Sequence, residues 1–287
     1  MSKPWRLSRF LAVLAALIEL TGTATRGQSL FTTARVELNA NLTSPAPELV
    51  PSASSTMCAS GVGPFLQLAC SGVDLANVFQ LAHSGVSGDF GVVTRIYKSQ
   101  KVTAGFTSDA YRSETTPTLL LLVARFTDIF GTNTPVTVAN AKWRRARAGY
   151  RWDVLETPRG RLGVDADVNY SRMSAFAGLR DFPTGPSLQY ARTLVVPAFG
   201  ASGEAVFTRY VSAGGDIALS RWRAVGFRDL DVFAVVNIVR RVGARIGYRE
   251  TTVNQHVADA PAGASPIDDG AGHLKTKGPY AGTVVRF

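Results

Sequence analysis

Arg161-Leu162-Gly163-Val164-Asp165-Ala166-Asp167-Val168-Asn169-Tyr170-Ser171 is the stretch that decides the fold. Successive residues of an extended strand point to opposite sides, so this stretch sorts into two faces. Leu162, Val164, Ala166, Val168 and Tyr170 make one face, and Arg161, Gly163, Asp165, Asp167, Asn169 and Ser171 make the other. A period of two separates apolar from charged residues here, and a helical period does not. The preceding stretch repeats the device. Ala146, Ala148, Tyr150, Trp152 and Val154 oppose Arg145, Arg147, Gly149, Arg151 and Asp153. Glu156-Thr157-Pro158-Arg159-Gly160 joins the two as a turn-rich link.

The same alternation runs through most of the chain. Leu230, Val232, Ala234, Val236 and Ile238 alternate with Asp231, Phe233, Val235 and Asn237. Val242, Ala244, Ile246 and Tyr248 alternate with Gly243, Arg245, Gly247 and Arg249. Phe90, Val92, Thr94 and Ile96 precede Val102, Ala104 and Phe106 across a short turn. Residues 188–210 hold two alternating stretches, with a bulge expected near Gly200 to Gly203. Near the start, Leu30, Ala34, Val36 and Leu38 oppose Arg35, Glu37 and Asn39 in a weaker strand over 28–40. Trp143 and Trp222 do not fit these phases.

The connections fall into two classes. Tight ones are expected near 98–101, 155–160, 211–215 and 239–241, and long polar ones near 41–87, 113–138, 173–187 and 252–277, with a shorter one near 223–228. Short and long alternate, as periplasmic turns and extracellular loops do in an outer-membrane barrel. The expected fold is all-β, a transmembrane antiparallel up-and-down β-barrel of about ten strands, with eight as the fallback.

The N-terminus points to export. Lys3, Arg6 and Arg9 precede an apolar run from Phe10 to Ile18 and the small residues that follow Leu20. That is the anatomy of a cleavable signal peptide, too short for the roughly 20 apolar residues of a spanning helix. Residues 1–24 are assigned to it, with cleavage after Ala24 (Gly27 second), leaving 25–287 as the barrel. The remainder carries 28 basic and 20 acidic residues, a charge of +8. An exported protein has little access to nucleic acid, so none is expected as a partner. Outer-membrane lipid and anionic lipopolysaccharide are the expected surroundings. Cys58 and Cys70 are the two cysteines, expected to form one disulfide in the long loop at 41–87.

The chain closes on Gly282-Thr283-Val284-Val285-Arg286-Phe287. A terminal aromatic with Val285 two residues earlier resembles the signal that outer-membrane barrels present to their assembly machinery, which makes that machinery an expected partner. The region from Arg145 to Phe287 resembles a group of small outer-membrane β-barrel proteins of Gram-negative bacteria. The likeness rests on Arg147-Ala148-Gly149-Tyr150-Arg151-Trp152-Asp153, Arg159-Gly160-Arg161-Leu162-Gly163-Val164, Val242-Gly243-Ala244-Arg245-Ile246-Gly247-Tyr248-Arg249 and that ending. It implies a fold and a place in the outer membrane, and it transfers no chemistry.

With apolar faces toward lipid, the lumen would hold Arg145, Arg147, Arg151, Asp153, Arg161, Asp165, Asp167, Arg245 and Arg249. A barrel of this size is nearly filled by its side chains. Unpaired charge there is costly, so an Arg/Asp network plugging the lumen is expected. The function expected first is structural or surface interaction, with specificity in the extracellular loops. A narrow pore for small anionic solutes is the alternative, and a rim hydrolase acting on lipid or peptide is the second. His83, His256 and His273 all fall in expected loops with no nucleophile motif beside them, so no catalytic residue is assigned. His256, Asp259, Asp268, Asp269 and His273 are too irregularly spaced to assign a metal. No cofactor is expected, and the barrel is expected to be a monomer. Tyr150, Trp152, Tyr170, Tyr210 and Tyr248 fit interfacial belts.

Overall fold

The computed structural model describes residues 35–52, 74, 76, 81–83, 87–115, 137–179, 187–222, 225–255 and 271–287. The signal segment with Ala24, and Cys58 and Cys70, lie outside them, as do His256, Asp259, Asp268 and Asp269.

Among the described residues twelve β-strands are delimited: β1 (Val36–Thr43), β2 (Ala46–Ser52), β3 (Ala82–His83), β4 (Ser87–Tyr97), β5 (Gln100–Thr115), β6 (Thr137–Thr157), β7 (Gly160–Leu179), β8 (Ser187–Val206), β9 (Val211–Trp222), β10 (Val225–Val239), β11 (Val242–Gln255) and β12 (Ala271–Arg286). Ten go round the barrel in the order β1-β4-β5-β6-β7-β8-β9-β10-β11-β12, and β12 closes onto β1. The two short strands extend others. Beyond a break at Ser44-Pro45, β2 continues along β12, and β3 pairs with β5 beyond β4. The loop expected at 41–87 therefore contains strand. So do the edges of those expected at 113–138, 173–187 and 252–277, because β5, β7, β11 and β12 run further than alternation alone indicated. His83 and His273 consequently lie on strands, not in loops.

Closure rests on main-chain bonds at the two ends. Glu37 to Thr43 pair with Arg286 back to Tyr280. The Arg35 N–H donates to the Phe287 carbonyl at 2.6 Å, and the Phe287 N–H donates to the Val36 carbonyl at 2.9 Å. Val285 is buried between Leu38 and Val242 in this seam.

Among the described turns, three hairpins turn on two residues, at Lys98-Ser99, Pro158-Arg159 and Arg240-Arg241. Each has a register shift beside it, between Arg95 and Tyr97, Asp153 and Leu155, and Asn237 and Val239. A bulge re-aims side chains. Here each one exposes two consecutive apolar residues, Ile96-Tyr97, Val154-Leu155 and Ile238-Val239. Lys98 accepts a positive φ of 38° to complete its turn.

Two local expectations are corrected. Register is unbroken through Gly200 to Gly203, so residues 187–206 are one strand without a bulge. The turn lies at Phe207–Tyr210, not 211–215. Gly214 sits inside β9, where a Cβ would stand 2.3 Å from the Gly203 carbonyl and 2.8 Å from the Phe233 ring. Close approach explains this glycine, and a turn does not.

The burial pattern is inverted relative to a soluble barrel. Phe199 is 71 % exposed and Leu162 53 %, while Asp165 and Arg245 are 9 % and 7 % exposed. Charged side chains are almost never fully buried unless paired, and a continuous apolar exterior of this kind needs a non-aqueous partner. On β6 the outward apolar run covers Ala146 to Leu155, with Arg144 and Lys142 beyond it. About 9–11 residues of a tilted strand cross a bilayer. The 21-residue β6 therefore projects well past the apolar band on the loop side.

The closing seam yields a stability test. A Cβ on Gly282 would lie 2.2 Å from the Ala40 carbonyl and 2.3 Å from Asn41 Oδ1. Gly282→Val is expected to destabilise the barrel by about 1–3 kcal/mol. The measurement is the temperature at which the compact species on an unheated gel is lost. An unchanged temperature would show that the seam tolerates the crowding.

Candidate functional site

The lumen is layered from the turn end to the loop end. At the turn end, Glu37 (β1), Arg286 (β12), Glu204 (β8) and Arg161 (β7) form a closed ring. Arg286 Nε lies 3.0 Å from Glu37 Oε2 and its Nη2 lies 3.2 Å from Glu204 Oε1. Arg161 Nη2 lies 3.0 Å from Glu204 Oε2 and 3.9 Å from Glu37 Oε2. β7 and β8 stand nearly opposite β1 and β12 in the strand order, so the ring braces the barrel across its diameter. The Ser212 hydroxyl adds a hydrogen bond to Glu204 at 2.7 Å.

Above it, Arg151 reaches Asp165 at 2.5 Å and Asp216 at 2.9 Å. Arg245 pairs with Asp231 at 3.0 Å, under the hydroxyl of Tyr280, which donates to the same carboxylate at 2.7 Å. Its guanidinium stacks on Phe233, 3.8 Å from the ring centroid. Phe233, Val235, Tyr280 and Val284 make an apolar patch on that wall. Higher again, Asp229 takes Arg249 at 2.5 Å and Arg145 at 3.7 Å, and accepts from the Thr251 hydroxyl at 2.6 Å. Arg249 also reaches across to Asp89 on β4 at 3.1 Å. Lys101 pairs with Asp153, and Arg95 with Glu156.

All nine lumen residues named from the sequence face inward, and the structure brings them together unevenly. Arg151 with Asp165 is the one ion pair within that set. Arg145, Arg161, Arg245 and Arg249 find their carboxylates on Asp229, Glu204, Asp231 and Asp89, none of which was in it. Asp167 accepts from the Thr103 hydroxyl at 3.2 Å and lies over Gly149, where no Cβ would fit. Arg147 has no ion pair among the described residues. It faces a polar cavity of about 40 Å³ shared with Asn39, Asn41, Asp89, Thr103 and Asp167. Strand parity held the signal for the missing acids. Glu37 and Asp231 lie on faces already identified as polar, and Asp229, two residues before Asp231, shares its parity.

At the loop end, part of the lumen wall is apolar. Trp143, Met173, Leu194, Val196, Ala198, Phe227 and Val253 form a buried cluster, with Leu274 packed against it. Trp143 fails the alternation because its inward position belongs to this cluster, while register continues unbroken past it. Its indole N–H donates to the Ser171 hydroxyl at 2.5 Å. Trp222 stands exposed at the end of β9. Outside, Trp152, Tyr210 and Tyr97 are exposed toward the turn end, and Tyr170 and Tyr248 toward the loop end. Tyr150 lies within the band instead of at its edge.

His273 lies on the outer face of β12 near the loop end. Its Nδ1 is 2.5 Å from Asn254 Oδ1 and its Nε2 is 3.9 Å from Glu48. No group of three or more metal-ligating side chains occurs among the described residues.

No family model and no curated protein matches the chain. Solved structures do. The outer membrane protease OmpT from Escherichia coli matches with a TM-score of 0.55 at 12 % identity, covering 92 % of this chain and 100 % of that one. The translocator domain of the autotransporter NalP from Neisseria meningitidis matches at 0.45 and 10 %, covering 98 % and 96 %. The attachment invasion locus protein Ail of Yersinia pestis matches at 0.35 and 8 %, covering 88 % and 98 %. At such identities a likeness speaks for fold alone. With its closed ten-strand sheet, exposed apolar band and buried charges, the chain has the fold of a bacterial outer-membrane β-barrel.

Proposed function

We propose that this protein is a monomeric outer-membrane barrel whose lumen is plugged by its own ion pairs and whose interactions are made by loops and outer surface. The turn end, with both described termini, faces the periplasm, and the long loops face outward. Lipid, lipopolysaccharide and the assembly machinery are the partners this placement provides.

The observation that carries the proposal is the Glu37–Arg286–Glu204–Arg161 ring. It spans the turn end of the lumen with charges that satisfy one another, and about ten strands leave little space besides. A selective anion pore would need uncompensated positive charge along the path. Here the carboxylates of Glu37, Asp89, Glu204, Asp216, Asp229 and Asp231 offset the arginines. A rim hydrolase has little support. The His273 ring is engaged by Asn254 and Glu48 on the outer face, and the OmpT likeness carries fold without chemistry.

Wild-type protein refolded into a planar bilayer is expected to show no resolved conductance steps. Steady anion-selective steps would replace the plug with the pore. Glu204→Gln leaves Arg161 and Arg286 sharing one carboxylate. Breaking a buried pair costs about 3–5 kcal/mol, so a marked fall in the denaturant midpoint is expected. A midpoint equal to wild type would mean that the ring does not brace the barrel.

A further inference from the structure

The outer face of β5, β6 and β7 carries a group of cations that the lumen does not use. Arg112, Lys142, Arg144 and Arg172 are all exposed there. Arg144 lies directly opposite Arg172 in the β6–β7 ladder. Like charges directly opposite on adjacent strands destabilise a sheet. None of the four is ion-paired among the described residues. On the outer face of β11 and β12 the pattern differs, because Lys275 there pairs with Glu250 at 3.0 Å.

Below the cations lies a shallow apolar trough. The next row of the outer face is Phe106, Ala146 and Tyr170, and the one after is Ala104, Ala148 and Val168. Phe106 and Tyr170, both exposed, flank Ala146, the smaller Ala104 and Val168 flank Ala148, and Tyr150 follows at the far end. From Ala146 to Tyr150 the trough runs about 13 Å along the strand. Fixed positive charge therefore sits at the head of a lipid-facing groove lined by small side chains.

We propose that this face binds an acylated, phosphorylated glycolipid of the outer leaflet, with its phosphates on Arg112, Lys142, Arg144 and Arg172 and an acyl chain in the Ala146–Ala148 trough. The proposal rests on the outer-membrane placement above, which puts the loop end in the outer leaflet. Arg112 to Arg172 spans two inter-strand spacings and four residues along the strands, about 10 Å by 13 Å. That footprint exceeds a single phosphate and suits a headgroup carrying two. An arginine guanidinium meets phosphate with paired N–H donors, so a bound anion turns the Arg144–Arg172 repulsion into a bidentate site.

The test uses the full chain refolded in detergent micelles and titrated with three probes. These are bis-phosphorylated lipid A, the same lipid with both phosphates removed, and phosphatidylglycerol. Wild type is expected to bind bis-phosphorylated lipid A at least tenfold more tightly than either other probe, and more weakly as salt rises. The Arg144→Gln/Arg172→Gln double variant is expected to lose most of that margin. Without lipid its unfolding midpoint is expected to match or exceed wild type, because a like-charge pair is relieved. Ala148→Trp is expected to weaken binding by filling the trough, and Lys98→Gln, at the opposite end of the barrel, to leave it unchanged. Equal binding of all three probes, an unaffected double variant, or an equal loss in Lys98→Gln would each overturn the site. Failure of the wild type to insert into liposomes would overturn the outer-membrane placement, while the micelle titration reads the site separately.

Discussion

Buried charge must be paired, and the lumen of a ten-strand barrel is where this chain buries its charge. A guanidinium or carboxylate taken out of water costs several kcal/mol unless an opposite charge and hydrogen bonds replace the solvent. Arg161 and Arg286 meet that requirement through Glu37 and Glu204, and Arg145 and Arg249 through Asp229 and Asp89. Most of these partners lie across the lumen instead of along one strand. The barrel has to close before its charges are satisfied, which couples closure of the β1–β12 seam to the interior network.

The exterior obeys the opposite rule. Apolar side chains point outward between two levels, and the chain marks both. At the turn end, bulges beside the two-residue turns double the outward apolar residues, with Lys98 5.2 Å from the Tyr97 ring centroid and Arg209 4.5 Å from that of Tyr210. At the loop end, Tyr170 and Tyr248 precede outward Arg172 and Glu250. Apolar, aromatic and charged rows thus follow one another in the order in which hydrocarbon, interface and headgroup would meet them.

Alternation made the barrel legible because it is a local property. Arg161 to Ser171 and Arg145 to Val154 announce strand, facing and lumen charge without knowledge of any neighbour, and the count of ten strands follows from the connections. Where local signals mislead, a neighbouring strand has intervened. Gly214 resembles a turn residue and is a point of close approach to Gly203 and Phe233. Trp143 breaks the polar face because the loop end of the lumen carries an apolar cluster drawn from β6, β7, β8, β10 and β11. The outer ends of the strands were hidden because they continue above the apolar band, where outward residues are polar and alternation fades.

By itself, the sequence determined the fold class, the two faces of the regular strands and nine of the charges that enter the lumen, since parity along an extended chain needs no tertiary information. Only the tertiary structure decided which carboxylate meets which arginine, because register and closure place Glu204 against Arg161 and Asp89 against Arg249, 43 and 160 residues apart. It also decided that Arg144 faces Arg172 above a trough of alanines. Neither residue records the other in its own surroundings along the chain, and the juxtaposition exists only once β6 and β7 lie in register.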